Sequence, residues 1–174
     1  MSSWDGVKIA VLLFVAAVAQ VADFSQINVF GAAPDLLLVT LVAVSLLRGS
    51  VAGALGGFLA GLIVDTAALA TLGLTSLVLA LAGFWIGRYG ETTGRDRAHA
   101  PYLSIAVVTV LYEVGLLVIH FVLGESAPAG AVFASLAPAV ILNLIVTGPV
   151  YGVVRRLLRP QERTELSAEV QLLG

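Results

Sequence analysis

Apolar residues fall in blocks long enough to cross a bilayer, and polar residues gather in the short segments between them. The first block, Val7 to Ala22, stops at Asp23, Ser25, Gln26 and Asn28. A second runs from Phe30 to Leu47 and stops at Arg48-Gly49-Ser50. From Val51 to Ile86 the chain is apolar apart from Asp65 and a few Thr, Ser and Gly residues. As one helix this tract would reach roughly 54 Å, against a hydrocarbon core of about 30 Å, so it has to fold back. Asp65, Thr66, Thr71 and Gly73 place the reversal between 65 and 73. The segment from Arg88 to Ala100 is polar, Pro101 to Leu123 is apolar again, and a last block follows Gly124-Glu125-Ser126-Ala127-Pro128. The predicted elements are helices over about 7–25, 30–47, 51–67, 72–87, 101–123 and 131–158, forming one bundle over 1–159 with a short charged tail over 160–174. Pro138 and Pro149 inside the sixth helix predict bends.

Composition places this pattern in a membrane. The 174 residues are 59% hydrophobic and 11% charged, with a mean hydropathy of +1.03, which no soluble fold of this size could bury. The fold class expected is an all-α membrane protein, a compact bundle of six transmembrane helices. Charge then orients it. With the amino terminus inside, Lys8, Arg48, Arg88, Arg95, Arg97, Arg155, Arg156, Arg159 and Arg163 all fall on the cytoplasmic side. These are all nine Lys and Arg of the chain, so the positive-inside rule puts both termini in the cytoplasm. Asp23, Asp35, Asp65 and Glu125 fall outside. A competing reading of the first block is a signal peptide, because Lys8 precedes a short apolar run and the triplet Ala17-Val18-Ala19.

Cysteine is absent, which excludes disulfides, thiolate metal sites, Cys nucleophiles and attached prenyl or palmitoyl groups. No Gly-x-Ser-x-Gly, His-Glu-x-x-His or phosphate-cradling glycine loop occurs. An enzyme is not expected, nor is a cofactor.

The most ordered local pattern is Gly49, Gly53, Gly57, Gly61 and Asp65, spaced by four along the third helix. These positions share a face and form a stripe on which another backbone can approach closely. Such a stripe serves either a tight contact inside the bundle or an interface with another protein. Ala52, Gly56 and Ala60 form a second small-residue row, and Gly83 and Gly87 repeat the spacing on the fourth helix, so the third and fourth helices are expected to pack closely.

Ionisable groups at membrane depth are costly and are candidates for function. Glu113 lies near the middle of the fifth helix and Asn143 at a similar depth in the sixth. Two readings stand: a protonated Glu113 hydrogen-bonded to Asn143, Thr147 or a carbonyl, or a proton or substrate site. Gln20, Asp35, Asp65 and His120 share a depth toward the outer side, with His120 pairing with Asp65 or Asp35 as one structural option. They are scattered over several helices without the short spacing of a ligand set, so no metal site is expected. The arginines at 155, 156, 159 and 163 suit either topology or binding of anionic lipid heads.

Pro34-Asp35-Leu36-Leu37-Leu38, Arg48-Gly49, Gly56-Gly57-Phe58-Leu59-Ala60-Gly61-Leu62-Ile63-Val64-Asp65 and Leu72-Gly73-Leu74 together resemble the rod shape-determining protein MreD family. In that family a Pro-Asp or Pro-Asn opens the second helix, and a Gly-Phe-x-x-Gly-Leu-x-x-Asp segment closes the third before a Leu-Gly-Leu turn. The resemblance is strongest over 34–90; helices five and six match only in character. It implies a non-enzymatic, multi-pass subunit of the bacterial elongation machinery in the inner membrane, regulating cell shape and lateral peptidoglycan synthesis. The partners it implies are MreC, MreB, a RodA-type glycosyltransferase and its penicillin-binding transpeptidase, together with membrane lipids and no nucleic acid. The alternative is the substrate-binding membrane subunit of an energy-coupling-factor vitamin transporter, which has the same size and glycine richness. It should carry an outer-face pocket lined by Gln20, Asp35, Asp65 or His120. An intramembrane enzyme would require clustered acids or a Ser-His pair at depth, which the spacing does not offer.

Overall fold

The computed structural model describes residues 3–22, 32–69, 71–93, 99–124 and 129–158. Six helices are present among them: α1 (Ser3–Ala22), α2 (Leu36–Arg48), α3 (Ser50–Ala67), α4 (Leu74–Thr93), α5 (Ala100–Val122) and α6 (Ala129–Leu157). Four are long and apolar enough to cross a membrane, namely α1, α3, α5 and α6. Large apolar side chains cover their outer faces, as do Trp85 and Leu81 on α4, so the bundle is wrapped in a surface suited to lipid rather than water.

α2 is the axis of the molecule. Every residue from Leu37 to Leu46 is buried, and α2 packs against all five other helices. It is also the shortest, with 13 residues, and rises only about 20 Å. The apolar pattern extends helix two back to residue 30, but the helix starts at Leu36. Pro34 disfavours helical geometry at the residue before it, and the Asp35 carboxylate accepts the Leu38 N–H at 2.8 Å as an N-cap.

α2 and α3 are joined by one residue, Gly49, whose φ of 92° lies in the left-handed region. Its N–H closes α2 onto the Ser45 carbonyl at 2.8 Å, and its carbonyl opens α3 by accepting from Gly53 at 3.1 Å. A Cβ at Gly49 would also collide with the Glu91 carboxylate. The other helices surround α2 in the order α1, α3, α4, α5, α6, with contacts between each successive pair. α6 runs unbroken through Pro138 and Pro149.

Candidate functional site

The tightest seam of the bundle lies between α3 and α4. A Cβ on Gly53 would strike the Gly83 carbonyl, one on Gly57 the Leu79 carbonyl, and one on Gly61 the backbone of Ser76. From the other side, a Cβ on Gly83 would strike Gly53, and one on Gly87 would strike Gly49 and Ser50. The four-residue stripe is thus turned onto α4, and the two backbones meet with no side chain between them. Ala52, Gly56 and Ala60 face elsewhere, toward α1, whose Leu13 packs over Gly56.

Asp65 ends that stripe and is 1% exposed. Its carboxylate accepts the Gly73 N–H at 2.9 Å and, more loosely, the N–H groups of Thr75 at 3.3 Å and Ser76 at 3.5 Å. These are the donors that the start of α4 leaves without intrahelical partners. An acid on one helix therefore caps the next across the reversal. Leu69 and Gly73, with φ of 52° and 93°, make the reversal sharp enough for that reach.

A second polar centre surrounds the start of α2. Asn143 on α6 accepts the Asp35 N–H at 2.7 Å and donates to the Thr109 hydroxyl on α5 at 3.0 Å. Gln20 on α1 accepts the Leu36 N–H at 2.8 Å. With the Asp35 side chain on Leu38, three helices besides α2 meet at this point, and the N–H groups of Asp35, Leu36 and Leu38 each have a side-chain oxygen as acceptor. Asp35, Gln20 and Asn143 thus come together; Thr109 completes the centre and was not singled out by the sequence, where an isolated Thr in an apolar run carries no signal.

At the opposite end, Arg48 joins three helices. It pairs with Asp5 at 2.8 Å and donates to the Leu158 carbonyl at 3.1 Å. Beyond the apolar part of α4, the Glu91 carboxylate accepts the Ser50 N–H at 2.8 Å and the Ser50 hydroxyl at 3.1 Å, capping α3, and lies 3.5 Å from Arg88. The Ser50 N–H bond is the chief reason the Glu91 carboxyl is held below the usual range, with the Ser50 hydroxyl and Arg88 adding to it against the opposing effect of desolvation.

Glu113 and His120 are half-buried on one face of α5. Nearby, Asn143 serves Asp35 and Thr109, and the Thr147 hydroxyl donates to the Asn143 carbonyl at 2.6 Å. The Asp35 and Asp65 side chains accept from backbone N–H groups at the starts of α2 and α4. Among the described residues no three His, Cys, Asp or Glu side chains converge as a metal site. What the polar centres can do is positional: they fix helix ends and register.

A family model described as rod shape-determining protein MreD matches residues 4–160. No curated protein and no solved structure matches the chain.

Proposed function

The chain belongs to the MreD family of rod shape-determining proteins, matched over residues 4–160, and from that premise we propose that it acts as a non-enzymatic subunit of the bacterial elongation machinery. In this reading it sits in the inner membrane and regulates cell shape and lateral peptidoglycan synthesis by holding MreC and the RodA-type glycosyltransferase with its penicillin-binding transpeptidase, in concert with MreB. The observation that carries the reading is the family match over nearly the whole chain. The polar side chains fit it, because Asp35, Asp65, Gln20 and Asn143 are engaged with helix ends rather than gathered for chemistry.

We further propose six spans with both termini in the cytoplasm. The end of the bundle that carries Asp5, Arg48, Arg88 and Leu158 would then face the cytoplasm, in keeping with the distribution of Lys and Arg. α2, although short, would count as a span because the neighbouring helices rather than lipid solvate it.

Affinity purification from native membranes tests the functional reading. Recovery of MreC and the wall-synthesis pair is expected; recovery of an ABC-type ATPase complex instead would assign the chain to vitamin transport.

A further inference from the structure

The ring of helices around α2 does not close. Packing runs from α1 through α3, α4 and α5 to α6, but it is not continued between α6 and α1. In that gap α2 forms the floor, at Thr40, of an apolar groove of about 290 Å³, with α1 from Leu12 to Ala19 as one wall and α6 from Pro149 to Val154 as the other. The two ends of the groove differ. At one end Gln20, next after Ala19 on α1, and Asn143 on α6 both accept from the start of α2, at Leu36 and Asp35, which draws the two walls to the same point. At the other end lies the Arg48 junction with Asp5 of α1 and the Leu158 carbonyl that follows α6.

At this second end both walls run into cations. Lys8 stands one turn before Leu12 on the same stripe of α1, and Arg156 stands two turns after Pro149 on α6. Both are exposed, and neither is in an ion pair among the described residues. Asp5, three residues before Lys8, already has its charge met by Arg48 at 2.8 Å. The open end of the groove therefore carries positive charge that the described residues leave unanswered.

The dimensions say what fits. Leu12 to Ala19 is about 10 Å along the axis, so the volume makes a channel about 6 Å wide, room for one hydrocarbon chain and too narrow for a helix about 10 Å across. From Lys8 to Ala19 the distance is about 16 Å, close to the roughly 15 Å that one leaflet contributes to a hydrocarbon core of about 30 Å. A tail from the opposite leaflet would have to enter past Gln20 and Asn143, where no Lys or Arg stands among the described residues to hold its head.

We infer that the α1–α6 groove holds one acyl chain of an anionic phospholipid from the leaflet on the Arg48 side, with its phosphate between Lys8 and Arg156. The apolar walls accept any tail; the two cations select the head, since each Lys or Arg adds attraction for an anionic lipid. The site requires that the chain lie in a membrane and is independent of the assembly role proposed above.

The test uses the full chain in nanodiscs containing phosphatidylglycerol or phosphatidylcholine that carries the same photoreactive acyl chain. Phosphatidylglycerol is expected to label Val15 and Val153 at least about fivefold more than phosphatidylcholine, the attraction of one Lys or Arg for an anionic head. Lys8→Gln combined with Arg156→Gln should bring that labelling down to the phosphatidylcholine level. Arg88→Gln combined with Arg155→Gln removes two cations from the same end of the bundle but not from the groove, and should leave labelling unchanged. Val15→Trp fills the groove while keeping both cations, and should abolish labelling of Val153. Each substituted side chain is exposed, so melting temperatures should hold. Equal labelling by the two lipids, equal loss in the two double variants, or labelling of Val153 that survives Val15→Trp overturns the inference. So does a photoreactive residue at Val153 that, in native membranes, is captured by a helix of another protein or of a second copy of this chain rather than by lipid.

Discussion

The Asn143 side chain on α6 accepts the backbone N–H of Asp35 at 2.7 Å, across 108 positions of sequence. That bond caps a helix whose start is partly buried among its neighbours. Asn143→Leu should therefore orphan both the Asp35 N–H and the Thr109 hydroxyl and destabilise the bundle by about 1–3 kcal/mol. Thr109→Val, which leaves the Asp35 bond in place, should cost less. Thermal unfolding in detergent ranks the two, and equal effects would show that the cap contributes little.

For the α3–α4 seam, Gly57→Leu should insert into the membrane but fail to pack, because the colliding group is the Leu79 carbonyl, which cannot swing aside. Overpacking typically costs about 1–3 kcal/mol, and more where backbones must separate. Gly152→Ala, in open space on α6, should be neutral or stabilising by up to about 1 kcal/mol. Melting temperature and rod-shape rescue report both, and a Gly57→Leu chain with unchanged melting and full rescue would refute the seam's importance.

Asp65→Ala removes all the side-chain oxygens that face the start of α4. A loss of about 1–2 kcal/mol is expected. Asp65→Asn keeps one carbonyl oxygen and should recover part of it. Hydrogen exchange at Gly73 and Thr75 is the direct readout, with faster exchange in the alanine variant.

Glu91 gives a pH dependence of known sign. Its carboxyl is held low in the folded chain, first by the Ser50 N–H and also by Arg88. Its contribution is therefore complete above the ordinary carboxylate range and is lost as pH falls through the lower, folded value. Acidification should speed amide exchange at Ser50 before the rest of α3 responds. Glu91→Ala should show fast exchange there at neutral pH already and lose the pH dependence.

Glu113→Gln separates the two readings of the acid at membrane depth. A neutral, register-fixing carboxyl predicts unchanged melting and full rod-shape rescue, whereas a proton-coupled role predicts loss of rescue with the fold intact.

Much of this architecture was legible along the chain because it is written in short-range periodicity. The reversal between residues 65 and 73 follows from bilayer thickness, and the α3–α4 contact from glycines at four-residue spacing facing Gly83 and Gly87. The start of α2 was legible in the Pro34-Asp35 motif but not in the hydropathy, which registers the apolar residues ahead of Pro34 and not the Asp35 cap that follows it. The partners of Gln20 and Asn143 were hidden for a related reason: each meets a backbone N–H, which leaves no mark on sequence. The junction of Arg48 with Asp5 and Leu158 brings together the beginning and end of the bundle, a proximity that no local pattern encodes.

The brevity of α2 bears on how the protein is made. If α2 is a span as proposed, its thirteen residues from Leu36 to Arg48 form a poor stop for the insertion machinery, since the segment falls short of the roughly 20 residues a lone span needs. Its retention then depends on helices synthesised before and after it, with the last oxygen on its starting N–H groups arriving only when Asn143 has been translated. Biogenesis of the bundle would thus be completed late, and a truncated chain lacking α6 should be a substrate for membrane quality control rather than a partly working protein.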